Sequence, residues 1–291
     1  MSLSLDRLHE INWSETATDE ILLNLKASLK DPVVNGRRFP LFPEPQLQLL
    51  INGCSGESAL MEAFPFYKRI LGYSEILGIT VDENTRVLDL GCGWGRHMRF
   101  FWQIVVADNL YGADIDPKFI DLCKELFPNG NFINNDREPP LPLDNDSFDI
   151  VWSYSVFTHI NEEYNLKWMK EIHRVLRKGG MFILTTQGRD FIKFCYSFAK
   201  QRTFEHEWFR LLSQIFHSPQ EVEAANKNFE RGLFQYFRIG GGGGPRDDSF
   251  YGEAVVPRKF FVDNWSQHFR IVDYFDPRNQ NQQAVIVAQK L

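Results

Sequence analysis

The chain is 291 residues long, enough for one large domain or two ordinary ones, and its 43% hydrophobic content excludes global disorder. A formal charge of −6 speaks against a binder of phosphate backbones, which ordinarily presents a strongly basic face. Four scattered cysteines (Cys54, Cys92, Cys123 and Cys195) form no CxxC pair and have no histidines at metal spacing, so neither a disulfide framework nor a metal site is expected.

The opening MSLSLDRLHEINWSE reaches Asp6 and Glu10 too early for a secretory apolar core. No run of about 18 apolar residues occurs, so a cytoplasmic protein without a membrane span is expected. Over 1–38 the pattern predicts one or two short helices, with Ile21, Leu22, Leu25 and Leu29 on one face. In FPLFPEPQ, Pro40, Pro43 and Pro45 impose an extended segment that cannot be helix interior. NGCSGES at 52–58 reads as a turn, and a helix is expected over Phe64–Leu77.

From residue 85 strands and helices alternate. RVLDLG is a buried strand and WGRHMRFFWQ a helix; LYGADID is a second strand, and PKFIDLCKELF a helix with Pro117 in its first turn. NFINND and FDIVWSYSV are the third and fourth strands. EEYNLKWMKEIHRVLRKGG is expected to be helical up to Gly179, and MFILTT is the fifth strand. Alternation of this kind predicts an α/β fold: a doubly wound, mostly parallel sheet. FRIVDYFD and QQAVIVAQKL are joined by DPRNQN, too short for a parallel crossover, so they should form an antiparallel hairpin at the sheet edge. Seven strands result.

Between about 189 and 260 the alternation stops. This insert is rich in Phe, Tyr and Trp, and the five glycines at 240–244 read as a mobile loop. The expected organisation is an N-terminal helical and extended cap over 1–80, then a domain over 81–291 carrying the insert.

The chemistry concentrates where strands end, at the side where open α/β sheets bind ligands. Asp89 and the GxGxG turn at Gly91, Gly93 and Gly95 follow the first strand, Asp114 the second and Asp136 the third, while Ser153–His159 follow the fourth. Glycines permit close backbone approach. Asp114, 23 residues beyond Gly91, is placed to accept from two ribose hydroxyls. A dinucleotide site would read GxGxxG, whereas position 96 is Arg, and a dinucleotide has no ammonium for Asp89 to face.

These residues resemble the class I S-adenosylmethionine-dependent methyltransferases. DLGCGWGR looks like their first motif, YGADID their second, and NNDREPPLPLDNDSFDIVWSYSVFTHI their third and fourth; HRVLRKGGMFILTT matches the segment that follows. The likeness spans about 85–190 and the terminal hairpin. It implies S-adenosyl-L-methionine as cofactor. Asp89, Gly91, Cys92 and Gly93 would hold its methionine moiety, Asp89 acting through water on the amino group, with Arg96 near its carboxylate or simply solvated. Asp114 would take the ribose, Ile115 would pack on adenine, and Asp136 would accept from the adenine amino group, with Arg137 and Ser153 completing the site. FPLFPEPQLQLLINGCSG, VFTHI and YGEAVVPRKFFVDNW look like a bacterial subgroup tied to glycan or secondary-metabolite pathways, from which Gln187 in LTTQG departs, a histidine being expected there.

The implied activity is O-methylation of a small molecule or glycan hydroxyl. His159 is the candidate base, with helix capping or packing as its bland alternative; His173 reads as structural, while His206 and His217 could reach an acceptor. SYSVF stands where amide and adenine N-methylation would require an NPPY-type turn. A non-catalytic cofactor-binding partner or sensor stays open, and a dinucleotide oxidoreductase is the more distant alternative.

Overall fold

The computed structural model describes residues 4–10, 19–277 and 283–291. Its principal sheet has seven strands: β3 (Val87–Leu90), β4 (Leu110–Asp114), β5 (Asn131–Asn134), β6 (Phe148–Ser153), β7 (Leu176–Thr186), β10 (Phe269–Phe275) and β11 (Ala284–Lys290). Two two-residue strands, β1 (Val33–Val34) and β2 (Arg37–Arg38), and the pair β8 (Gln235–Phe237) and β9 (Glu253–Val255) make small separate ribbons. The sheet order is β10-β11-β7-β6-β3-β4-β5. β3 lies parallel to β4 and β6, and β4 parallel to β5. β11 runs antiparallel to both β7 and β10. The mostly parallel sheet and its antiparallel edge hairpin are those expected from sequence; residues 278–282 of the hairpin connection lie outside the described residues.

Contacts divide the chain into two compact units, residues 1–135 with 147–152, and residues 136–146 with 153–291. The first unit carries helices α1 (Leu5–Glu10), α2 (Glu20–Ser28), α3 (Pro45–Asn52), α4 (Glu57–Ile76), α5 (Met98–Phe101) and α6 (Pro117–Leu126). Its core is aromatic: Tyr67 stacks on Phe100 with centroids 5.0 Å apart, and Phe101 on Trp152 at 4.6 Å. α4 starts seven residues before the expected Phe64 and runs through Pro65. The early start follows from Ala59, Leu60, Ala63, Phe64, Tyr67 and Ile70, which recur at helical spacing and are all buried. Gln48 sets the entry, its amide accepting from Gly56 N at 2.9 Å and donating to Pro43 O at 2.7 Å.

Arg99 ties the proline-rich segment to the strand–helix alternation. It is fully buried, lies 4.2 Å from the Phe42 ring centroid and 4.7 Å from that of Trp94, and donates to the carbonyls of Pro40, Leu41 and Trp94. A planar cation with several donors suits such a slot between aromatic faces and orphan carbonyls.

The second unit holds α7 (Glu162–Val175), α8 (Asp190–Ser197), α9 (Glu207–Leu212), α10 (Pro219–Glu230) and α11 (Arg258–Trp265). α7 ends at Val175, four residues before the expected Gly179, and Leu176 is already extended (φ −69°, ψ 143°). The last strand draws LRKGG into β7: Lys290 Nζ donates to Leu176 O at 2.7 Å, and Gln289 Nε2 donates to Gly179 O at 2.9 Å. Phe157, Phe182, Trp265 and Phe269 form one core, and the insert builds its own from Phe191, Ile192, Cys195, Leu212 and Phe216, against which Phe194, Trp208 and Phe209 pack.

The polyglycine stretch forms a hydrogen-bonded turn. Gly242 N donates to Arg246 O (2.8 Å) and Arg246 N to Gly243 O (3.1 Å). A Cβ on Gly242 would fall 2.7 Å from the Tyr251 ring, so glycine there lets the backbone lie against that ring. Among the described residues no helix is long and apolar enough to cross a membrane.

Candidate functional site

The first unit builds a cradle from the ends of β3 and β4. Gly91, Gly93 and Gly95 all have positive φ (81°, 52° and 76°), which turns the chain back after Leu90. Gly91 N and Cys92 N both donate to Ala113 O, at 2.7 and 3.0 Å, so the turn is held against the end of β4. There the buried Asp114 carboxylate accepts from Gly93 N through Oδ2 and from Asp116 N through Oδ1, each at 2.9 Å. Its two oxygens are thereby held against the turn, one by each backbone N–H. Asn134 of β5 donates to the carbonyls of Asp114 and the half-buried Ile115, setting the next residues in place.

Asp89 lies at the centre of β3 with 1% of its surface exposed. Among the described residues its Oδ2 has no hydrogen-bond partner, and neither has the indole N–H of Trp152. Burial pushes the Asp89 carboxyl up to about 8; the nearby Trp152 indole offsets part of that, and the charge of Asp114 adds to it. A buried acid with an orphaned oxygen fits a ligand that brings a cation, because a positive partner favours its ionised form. Gly93 supplies the opening: a Cβ built on it meets nothing within 4 Å. The residues present therefore fit S-adenosylmethionine, whose amino-acid end carries an ammonium group.

The flanking positions are packed against their neighbours. Cys92 and Cys123 are buried, Cys123 Sγ lies 3.1 Å from Gly93 O, and the Cys123 thiol together with burial holds Cys92 well above the usual thiol range, as a neutral small residue. Arg96 is buried and ion-paired with Glu62 of α4, so it is not the solvated first-turn arginine that was one of its two readings. Gly95 packs by shape, since a Cβ there would sit 2.4 Å from Phe127. The two glycines accordingly separate in outcome. Gly95→Ala combines a left-handed backbone with a clash and should lower thermal stability by about 2–4 kcal/mol. Gly93→Ala should cost only about 1–2 kcal/mol of backbone strain yet abolish cofactor binding; thermal unfolding and calorimetric titration of the two variants check this.

The other expected site residues lie in the second unit. Asp136 and Arg137 are exposed on the segment after β5; Arg137 lies 3.7 Å from Asp247, and its carbonyl accepts from Trp168 Nε1. Ser153 is fully buried. His159 Nδ1 donates to Gly252 O at 2.8 Å, and its ring stacks on Tyr251 with centroids 4.6 Å apart. The buried Glu253 carboxylate is 3.5 Å from the same nitrogen. His173 packs beside His268 and Phe269, and burial lowers its pKa, which agrees with the structural reading. His206 and His217 are exposed. Gln187 accepts from Val256 N at 3.2 Å through its carbonyl.

Sequence reasoning missed Glu253. The available signal was a lone acid opening the apolar run EAVVP.

Residues 88–184 match a methyltransferase domain family. The chain is 29% identical over 128 residues to the methyltransferase adrK of Penicillium roqueforti, covering 42% of this chain and 38% of that protein. It is 29% identical over 163 residues to the sterol 4-C-methyltransferase strm-1 of Caenorhabditis elegans, covering 52% and 46%. It thus spans less than half the length of either. Among solved structures, an S-adenosylmethionine-dependent methyltransferase from Clostridium acetobutylicum superposes with a TM-score of 0.52 at 13% identity, over 84% of this chain and 96% of that one, a likeness of fold. The matched segment, the sheet order and the Asp89–Gly93–Asp114 cradle converge: residues 88–184 of this chain carry a methyltransferase domain.

Proposed function

We propose that this chain is a methyltransferase that moves the methyl group of S-adenosylmethionine to a hydroxyl of a small molecule or glycan. The observation carrying the cofactor half is the orphaned, buried Asp89 oxygen beside the pinned Asp114 carboxylate. In this reading Asp89, Gly91, Cys92 and Gly93 hold the amino-acid end. Asp114 and Ile115 hold the nucleoside with Asp136, while Arg96, Arg137 and Ser153 complete the contacts. Residues 1–80 act as a cap, and the aromatic insert over 189–260 receives the acceptor.

When bound, S-adenosylmethionine supplies an electrophilic methyl that an acceptor takes by in-line displacement. The chain's own task is alignment, worth roughly 7–11 kcal/mol of such a barrier, and removal of the hydroxyl proton. His159 is proposed as that base. Its Nδ1 already donates to a backbone carbonyl, which leaves Nε2 as the atom able to accept.

Incubating the chain with methyl-labelled S-adenosylmethionine and a fractionated source-cell extract tests the reading. Label is expected in a small-molecule or glycan fraction, and His159→Ala should reduce transfer by about 10²–10⁴-fold. Label on carbon would overturn the oxygen assignment. Tight cofactor binding with no transfer would point to a binding partner or sensor instead.

A further inference from the structure

The reading of His159 as a base leaves open what holds its ring, and the answer lies within the second unit. The backbone first brings two segments into register: Gly252 N donates to His159 O at 2.8 Å, and Ala254 N to Thr158 O at 2.7 Å. Glu253, between those donors, turns its side chain inward and is 1% exposed, while the His159 side chain keeps 17% of its surface. One carboxylate oxygen, Oε1, accepts from Trp208 Nε1 at 2.7 Å and stands 3.5 Å from His159 Nδ1; the other, Oε2, has no hydrogen-bond partner among the described residues. The imidazole lies nearly parallel to Tyr251 (14°), and Gly242 lets the polyglycine turn rest against that phenol.

A lone pair on Nδ1 would face two acceptors, the Gly252 carbonyl and the Glu253 carboxylate. A proton there satisfies both. We propose that Glu253 is the positioning residue of His159: with the Gly252 carbonyl it fixes the imidazole as the Nδ1–H tautomer, so that Nε2 receives the acceptor's proton, and it links that imidazole to Trp208 of the aromatic insert. This rests on the base reading of His159 and deepens it. When a hydroxyl attacks, the O–H bond breaks and its proton passes to Nε2; the oxygen's electron pair forms the new bond to carbon, while the methyl–sulfur bond of bound S-adenosylmethionine would break and leave its electron pair on the departing thioether. The imidazolium so formed lies against a buried carboxylate that is already in place. The other groups around Glu253 are Trp208 and Gln187, with the neutral thiol of Cys195 and the phenol of Tyr236 beyond them.

A purely structural Glu253 would serve only as the partner of Trp208, and tautomer state separates the two roles. In the full-length chain, ¹⁵N correlation spectra of the imidazoles, with His159 assigned by its loss in His159→Gln, should show the Nδ1–H form. Glu253→Gln should shift the tautomer ratio about tenfold toward Nε2–H, the loss of one charge-assisted bond. Trp208→Phe should leave the ratio unchanged. If Glu253→Gln fails to fold, Glu253→Asp keeps the charge but withdraws it and should move the ratio in the same direction by a smaller factor. A wild-type ring in the Nε2–H form, or a ratio unmoved by either Glu253 variant, overturns the proposal. Methyl transfer then tests the reading beneath it: if the tautomer shifts as stated but His159→Ala transfers at the wild-type rate, Glu253 still positions the ring and His159 is not the base.

Discussion

Asp114→Ala should weaken S-adenosylmethionine binding by at least about a hundredfold while the chain stays folded. The carboxylate of Asp114 is held by Gly93 N and Asp116 N, one on each oxygen at 2.9 Å, and cannot rotate away from the turn. Two ribose hydroxyls would donate to the carboxylate held in this way. Hydrogen bonds to a charged acceptor contribute about 1.5–3 kcal/mol each, and about 2.7 kcal/mol already makes a factor of a hundred. Asp114→Asn is the sharper variant. Its amide must turn an N–H toward either Gly93 N or Asp116 N, placing donor against donor, so it should lose most of the affinity despite its near-identical shape. Isothermal titration with the cofactor, alongside thermal unfolding, reads both variants. Unchanged affinity would mean that Asp114 serves only to brace the glycine turn.

The parts of the fold that sequence reading recovered are those where local pattern and tertiary role coincide. β3, β4, β5 and β6 are short apolar runs bounded by turn residues, and the glycines at 91, 93 and 95, read as a turn, all take positive φ. Where the two diverge, reading fell short. α3 shows no apolar stripe turned inward: Leu49, Leu50 and Ile51 are exposed, and Gln48 is its buried anchor. α7 gives way to strand because Gln289 and Lys290, more than a hundred residues away in the chain, capture the LRKGG carbonyls. Glu253 was invisible for a similar reason. An acid at the start of a three-residue strand acquires meaning only when Gly252 and Ala254 bind the backbone beside His159. The glycine run was legible as backbone freedom, but its use, close approach to a phenol ring, is a tertiary fact.

Asp89 carries the second large expectation, in pH. Its carboxyl stands at about 8 against an ordinary value of 3.8, so over that window the native chain holds a proton that the unfolded chain releases. Unfolding free energy of the cofactor-free chain should therefore fall as pH rises from about 5 to 8, because the native state binds more protons there. Cofactor binding should run the other way. The ammonium group of the ligand favours the ionised acid, so binding expels the Asp89 proton, and affinity should climb up to about tenfold per pH unit between about pH 6 and 7. Above about pH 8 the ligand's own α-amino group loses its proton and the gain reverses, giving an optimum near pH 8. Asp89→Asn cannot ionise; it should bind more weakly, lose the rising limb and flatten the fall in stability. Titration calorimetry in two buffers of different ionisation enthalpy counts the proton directly, with nearly one released at about pH 6.5 in the wild type and none in the variant. Zero release in the wild type would place the cofactor's ammonium elsewhere and leave Asp89 as a neutral, buried acid of the strand.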